Sequence, residues 1–285
     1  SGEKLISNIR TVINGLDNIQ KYCKKNTLDQ EITGFGNWSV LFEKKARKFH
    51  NGEKLFPIDF KAFQFRVNYK EEKKLKPKFD LVRTMISKWN DSKKTFRFIK
   101  RFSFTHNDFP VKVDCSIVRT SKTFKTKYGH RMIPEYRVES AGLFQNQEHF
   151  EIEVEVDKNS HPHIYPLVAD YVKKIKSVIK IIMSGLQESN FPISYDEQNT
   201  ITNEYMKVLH PKNVPERRVR TRDFIGPQSI SLEMVNISTI NPDSRSANIR
   251  QPYTVTDKAD GTRKLMFIHN SGKIYLIDIN MNVQF

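Results

Sequence analysis

Apolar positions along the chain change their period several times. Over residues 5 to about 22, Leu5, Ile9, Val12, Ile13, Leu16 and Ile19 recur at helical spacing, which predicts one amphipathic helix. Residues 60–69 then alternate, with Phe63, Phe65, Val67 and Tyr69 on one side. Residues 95–105 and 111–118 alternate in the same way, and 150–156 is the cleanest alternation in the chain. Period-two segments separated by turns predict an antiparallel sheet or barrel. A second helix is expected over about 165–186, with Leu167, Val168, Tyr171, Ile175, Val178, Ile182 and Leu186 on its core side, and a shorter one over 196–209. Pro211, Pro215 and the tract Arg217, Arg218, Arg220 and Arg222 then read as an exposed linker. Strands are expected again at 253–256, 265–268 and 274–277, and there is no internal repeat.

A length of 285 residues gives a prior of about two domains. With 20 Phe and 10 Tyr there is enough bulk for packed cores, which excludes wholesale disorder. No apolar run approaches the roughly 18 residues that span a bilayer, and no compact apolar block follows the first basic residues, so neither a membrane anchor nor a secretory signal is expected. Two cysteines, Cys23 and Cys115, are not expected to form a disulfide framework or a four-ligand zinc site. A cytoplasmic, reducing location follows as the expectation. Lys and Arg number 48 against 32 acidic residues, for a net charge of +16. Together with clusters such as Lys70, Lys73, Lys74, Lys76 and Lys78, that charge points to a polyanionic partner.

Two constellations carry chemistry. Glu151, Glu153 and Glu155 alternate with Ile152, Val154 and Val156, so on a strand the three carboxylates share one face at intervals of about 7 Å. Like charges so arranged repel unless cations occupy the face, whether a divalent metal or a lining of Lys and Arg. The plain alternative is a half-exposed strand with its acids in water. Arg97 and Arg101, four apart, and Lys112 with Asp114 supply matching charges on other predicted strands, and a closed barrel with a charged interior, its acidic strand facing the basic ones, fits that set. Upstream, Asp29 and Glu31 stand two apart on another predicted strand and would form a second acidic wall.

The second constellation is K-x-D-G at 258–261, followed by Arg263. A Lys between a strand and a turn can attack the α-phosphorus of a nucleoside triphosphate when its amine is neutral, which requires nearby cations or desolvation. Arg263 is a local cation, and Gly261 permits a tight turn. The plain alternative is a hairpin with a surface Lys.

Residues 253–263, Tyr-Thr-Val-Thr-Asp-Lys-Ala-Asp-Gly-Thr-Arg, resemble the first nucleotidyltransferase motif of viral mRNA capping enzymes, in particular the large capping proteins of mimivirus-like and poxvirus-like DNA viruses. In that family a triphosphate-tunnel RNA 5′-triphosphatase precedes the guanylyltransferase, and the order here is similar, with E-x-E-x-E about 100 residues before K-x-D-G. The resemblance implies an α+β fold: an antiparallel β-barrel, the triphosphate tunnel, with flanking helices over 1–215, then a linker and an incomplete nucleotidyltransferase segment over 216–285. It implies hydrolysis of the γ-phosphate from the 5′-triphosphate end of RNA, making the chain a polynucleotide 5′-phosphatase. Mg²⁺ or Mn²⁺ would sit on Glu151, Glu153 and Glu155 with Asp29, which stands where the family has a Glu, and Glu31. Arg97, Arg101 and Lys112 would hold the triphosphate, with Asp114 and Arg119 as further substrate contacts. Lys258 would be the residue that accepts GMP from GTP, with Asp260, Gly261 and Arg263 contacting the nucleotide. Other capping subunits or a second copy of the chain would be its protein partners, a viral factory or virion its location.

Lys258 stands 27 residues before the final Phe285, short of the further motifs that guanylyl transfer needs, so that activity is expected to be absent from this polypeptide alone. Two other classes remain open at this point. A polynucleotide ligase fragment shares K-x-D-G but leaves the acidic strand unexplained, whereas a non-catalytic basic RNA-binding module accounts for the charge alone.

Overall fold

The computed structural model describes residues 9–28, 40–46, 53, 55–69, 71–76, 78–127, 129–156, 168–226, 231–240, 242, 246–257 and 260–285. Two compact units emerge, one of residues 1–59 and 65–178, the other of 60–64 and 179–285. The sequence pattern had placed the boundary near 216.

In the first unit, β1 (Ile9–Ile13), β2 (Val40–Ala46) and β5 (Glu71–Leu75) form an antiparallel sheet in the order β1-β2-β5. The helix expected over 5–22 is thus a strand followed by α1 (Leu16–Lys25). Four of the five β1 residues are β-branched, which suits a pleated strand. Gly15 then takes φ +87°, a conformation open to glycine, and breaks the two elements apart. Tyr22 and Leu28 pack with Phe42 of β2, Val82 of α2 (Asp80–Ser87), and Trp89, Val138 and Leu143 in this unit's core. Trp89 donates its indole N–H to the Tyr22 hydroxyl at 3.2 Å, and burial pushes the Tyr22 phenol up to about 12.

The second sheet of this unit is built from β6 (Arg97–His106), β7 (Phe109–Thr120) and β10 (His149–Val156), with β7 in the centre. All three were legible as alternating segments. Register aligns Arg101 with Ser116 and Ser116 with Glu151; Ser103 with Asp114 and Asp114 with Glu153; Thr105 with Lys112 and Lys112 with Glu155. One face therefore carries the charges. The other carries Phe102, Phe104, Phe150, Ile152 and Val156, all exposed, while Asp114, Ser116 and Val118 on the charged face are buried. Smaller pairs are β3 (Ile58–Phe60) with β4 (Phe65–Val67), which divide the predicted 60–69 strand, and β8 (Thr123–Thr126) with β9 (Gly129–Met132).

Among the described residues no sheet closes on itself. The expected closed barrel is not formed by them, because β6 and β10 each pair with β7 alone, and closure requires every edge strand to find a second partner.

The predicted long helix is α3 (Val168–Gln187). In the second unit α4 (Tyr195–Leu209) starts at Ser194, whose hydroxyl accepts from the Glu197 N–H at 3.1 Å. Its residues Ile201, Tyr205 and Met206 pack with Phe224, Tyr275, Ile277 and Val283. This helix had been assigned to the first domain; its buried face belongs to the second core. The sheet of β11 (Lys264–Ile268), β12 (Ile274–Asp278) and β13 (Val283–Gln284) completes that core. The strand expected at 253–256 is absent: residues 253–257 are irregular and exposed.

Candidate functional site

The charged face of the β10-β7-β6 sheet gathers most of the first constellation. Arg97 grips Glu151 with one nitrogen at 2.9 and 2.7 Å from the two carboxylate oxygens, and His149 Nε2 stands 3.2 Å from the same Glu151. Arg101 Nη1 lies 3.2 Å from Asp114 Oδ2, and its Nη2 lies 3.2 Å from Glu153 Oε2. Lys112 Nζ lies 3.0 Å from Asp114 Oδ2 and 3.3 Å from Glu155 Oε2. The cations thus sit beside the acids within one sheet rather than on a wall facing them. Only a long side chain can do this from β6, since two strand spacings of about 4.8 Å separate it from β10.

Asp114 and Glu153 are directly opposite each other, an arrangement that repels unless a cation intervenes. Arg101 provides it. Asp114 is fully buried, accepts a 2.6 Å hydrogen bond from Ser103 on Oδ1, and turns Oδ2 to the two cations Arg101 and Lys112. Burial pushes its carboxyl up, but the hydrogen bonds from Ser103 and Lys112 and the charges of Lys112 and Arg101 outweigh that and hold it below the usual range. The hydrogen bond to Asp114 in turn holds the Lys112 ammonium above its ordinary value. Ser103, Ser116 and His149 were not picked out from the sequence, yet their positions two residues from Arg101, Asp114 and Glu151 place them on the same face.

Arg119 does not join this set. Odd-numbered positions of β7 face the other way, and Arg119 pairs with Glu148 at 2.9 Å and donates to the Phe144 carbonyl. Asp29 and Glu31 lie outside the described residues, as does Lys258. Among the described residues no three His, Cys, Asp or Glu side chains gather closely enough to hold a metal ion. Strung along one strand and each matched to a cation, Glu151, Glu153 and Glu155 do not by themselves fit a divalent ion.

Around the second constellation, Asp260 and Gly261 are exposed. Arg263 lies over the Phe224 ring, its guanidinium carbon 5.0 Å from the centroid, with a buried Nη2 that has no partner. Gly226 makes this possible, because a Cβ there would come within 2.9 Å of that nitrogen. The preceding strap is not a loose linker: Arg217 forms an ion pair with buried Asp223 at 2.6 Å, and Tyr205 donates to the Asp223 carbonyl while accepting from the Ile225 N–H. The Arg217 hydrogen bonds hold the Asp223 carboxyl well below the usual carboxylate range.

Residues 184–285, which contain the K-x-D-G sequence, match the family model described as mRNA capping enzyme, catalytic domain. More particularly, a probable mRNA-capping enzyme of Acanthamoeba polyphaga mimivirus is 30% identical over 128 residues, which cover 43% of this chain and 10% of that protein. The match therefore spans about a tenth of the length of that relative. No solved structure matches. The function class these findings support is mRNA capping. The charged face of residues 97–155 precedes the matched region. No helix among the described residues is long and apolar enough to cross a membrane.

Proposed function

We propose that the chain is part of an mRNA capping enzyme, in which a unit that removes the γ-phosphate from 5′-triphosphate RNA precedes a guanylyltransferase segment. The match over 184–285 carries the capping assignment; the cations Arg97, Arg101 and Lys112, aligned on one sheet face, support the triphosphatase reading. Guanidinium and ammonium groups so placed bind the triphosphate oxygens and neutralise charge that develops on the transferred phosphoryl group. Mg²⁺ or Mn²⁺ belongs to the proposal through the family resemblance, with Asp29 and Glu31 as further ligands. In the second unit Lys258 is the proposed acceptor of the nucleotide from GTP, and Arg263 a nucleotide contact.

The test is release of labelled γ-phosphate from 5′-triphosphate RNA by this chain with Mg²⁺ or Mn²⁺. Wild type is expected to release it. Arg101→Ala and Glu153→Ala are each expected to lower turnover on the order of 100-fold, the effect of removing one preorganised electrostatic group. Wild-type turnover in either variant sinks the assignment of this face. A non-catalytic RNA-binding module is the second reading, favoured by a face on which every described carboxylate already holds a cation; its signature is RNA affinity without phosphate release.

A further inference from the structure

The acids of the charged face hold their cations in two different ways. Asp114 is fully buried, is set by Ser103 at 2.6 Å, and lies 3.2 Å from Arg101 and 3.0 Å from Lys112. Glu153 and Glu155 reach the same two cations from the solvent side at 3.2 and 3.3 Å, with side chains 47% and 52% exposed. Ion pairs that open to water are weak and exchange readily, whereas a buried acid that loses its cation is left uncompensated. Resting on the reading that this face receives a triphosphate, we infer that Glu153 and Glu155 occupy the seats that phosphate oxygens take, while Asp114 and Ser103 are positioning residues that keep Arg101 and Lys112 in place during the exchange.

On this inference the site's own acids stand in for the ligand, and an incoming polyphosphate displaces two carboxylates without moving the cations beneath them. Displaced, Glu153 and Glu155 are released from Arg101 and Lys112. Glu151 holds Arg97 through both of its oxygens, with His149 beside it, and is not one of the displaced acids.

The two classes of acid predict opposite signs for substitutions that change charge equally. The experiment is calorimetric titration of the chain with inorganic tripolyphosphate in EDTA, so that no metal contributes. Glu153→Gln and Glu155→Gln are each expected to tighten binding about twofold to fivefold, the range set by an exposed ion pair. Asp114→Asn removes the same charge yet is expected to weaken binding at least about tenfold. Ser103→Ala, which changes no charge, is expected to weaken it about threefold to tenfold, with Ser103→Thr restoring it. Should Asp114→Asn fail to melt cooperatively, the serine pair carries the test. If every neutralised acid tightens binding alike, net charge explains the data and the exchange is overturned; so too if Glu153→Gln and Glu155→Gln weaken it, or if Ser103→Ala binds as wild type. A wild type that neither binds tripolyphosphate nor releases phosphate from RNA overturns instead the underlying reading of the face.

Discussion

Arg101 meets partners from two strands, placing one nitrogen at Asp114 and another at Glu153. A lysine keeps the charge but ends in a single ammonium; Lys112 bridges two acids from the central strand, whereas from β6 the forked guanidinium sends separate nitrogens to Asp114 and to Glu153 two strands away. Arg101→Lys is therefore expected to lower γ-phosphate release by about tenfold while leaving the melting temperature nearly unchanged. Recovery of the full rate would show that charge alone matters there. Asp223 acts on stability rather than chemistry. Its carboxyl is held low by Arg217, so the unfolded chain binds this proton more readily than the folded one. The contribution is complete above the unfolded value of about 4 and is lost as pH falls toward the depressed folded value. Thermal unfolding followed between pH 3 and 7 should show stability rising with pH, and Asp223→Asn should flatten that rise. An unchanged slope would remove Asp223 from the account.

At the scale of elements, strands whose two faces differ in polarity were legible: 95–105, 111–118 and 150–156 emerge as β6, β7 and β10. Residues 9–13 were not, because Ile9, Val12 and Ile13 satisfy a helical period as well as a strand, and pairing with β2 decides between them. β2 and β5 escaped notice since their Lys and Glu runs show little alternation of polarity. Arg217 looked like a linker cation because its partner Asp223 is six residues on, with no periodic pattern to join them. In the second core, Ile201→Ala on α4 is expected to cost about 2–5 kcal/mol, as buried aliphatic truncations do. Denaturant unfolding read by Tyr275 or Tyr205 fluorescence would measure it, and a loss under 1 kcal/mol would place α4 outside that core.

For the whole molecule, charge and motif order spoke first, and the family match falls on residues 184–285, which hold the second constellation. The acidic strand was legible in the sequence; its cations were expected across a closed lumen and stand instead beside it, because register between neighbouring strands is a tertiary property that composition does not encode. On the proposed reading, a net charge of +16 with three cations on one sheet face predicts that affinity for 5′-triphosphate RNA falls with salt, with a logarithmic slope of at least about −2. Filter binding between 50 and 300 mM salt checks this, and a flat profile would mean that the basic surface has no part in binding.

The side alternation of β10 has a genetic corollary. Inserting one residue after Ile152 would carry Glu153 and Glu155 over to the greasy side and bring Val154 beside Lys112, unless a bulge absorbed it. Inserting two would leave each acid on its original side. Tolerance at this strand should therefore follow whether an indel is odd or even more closely than its length.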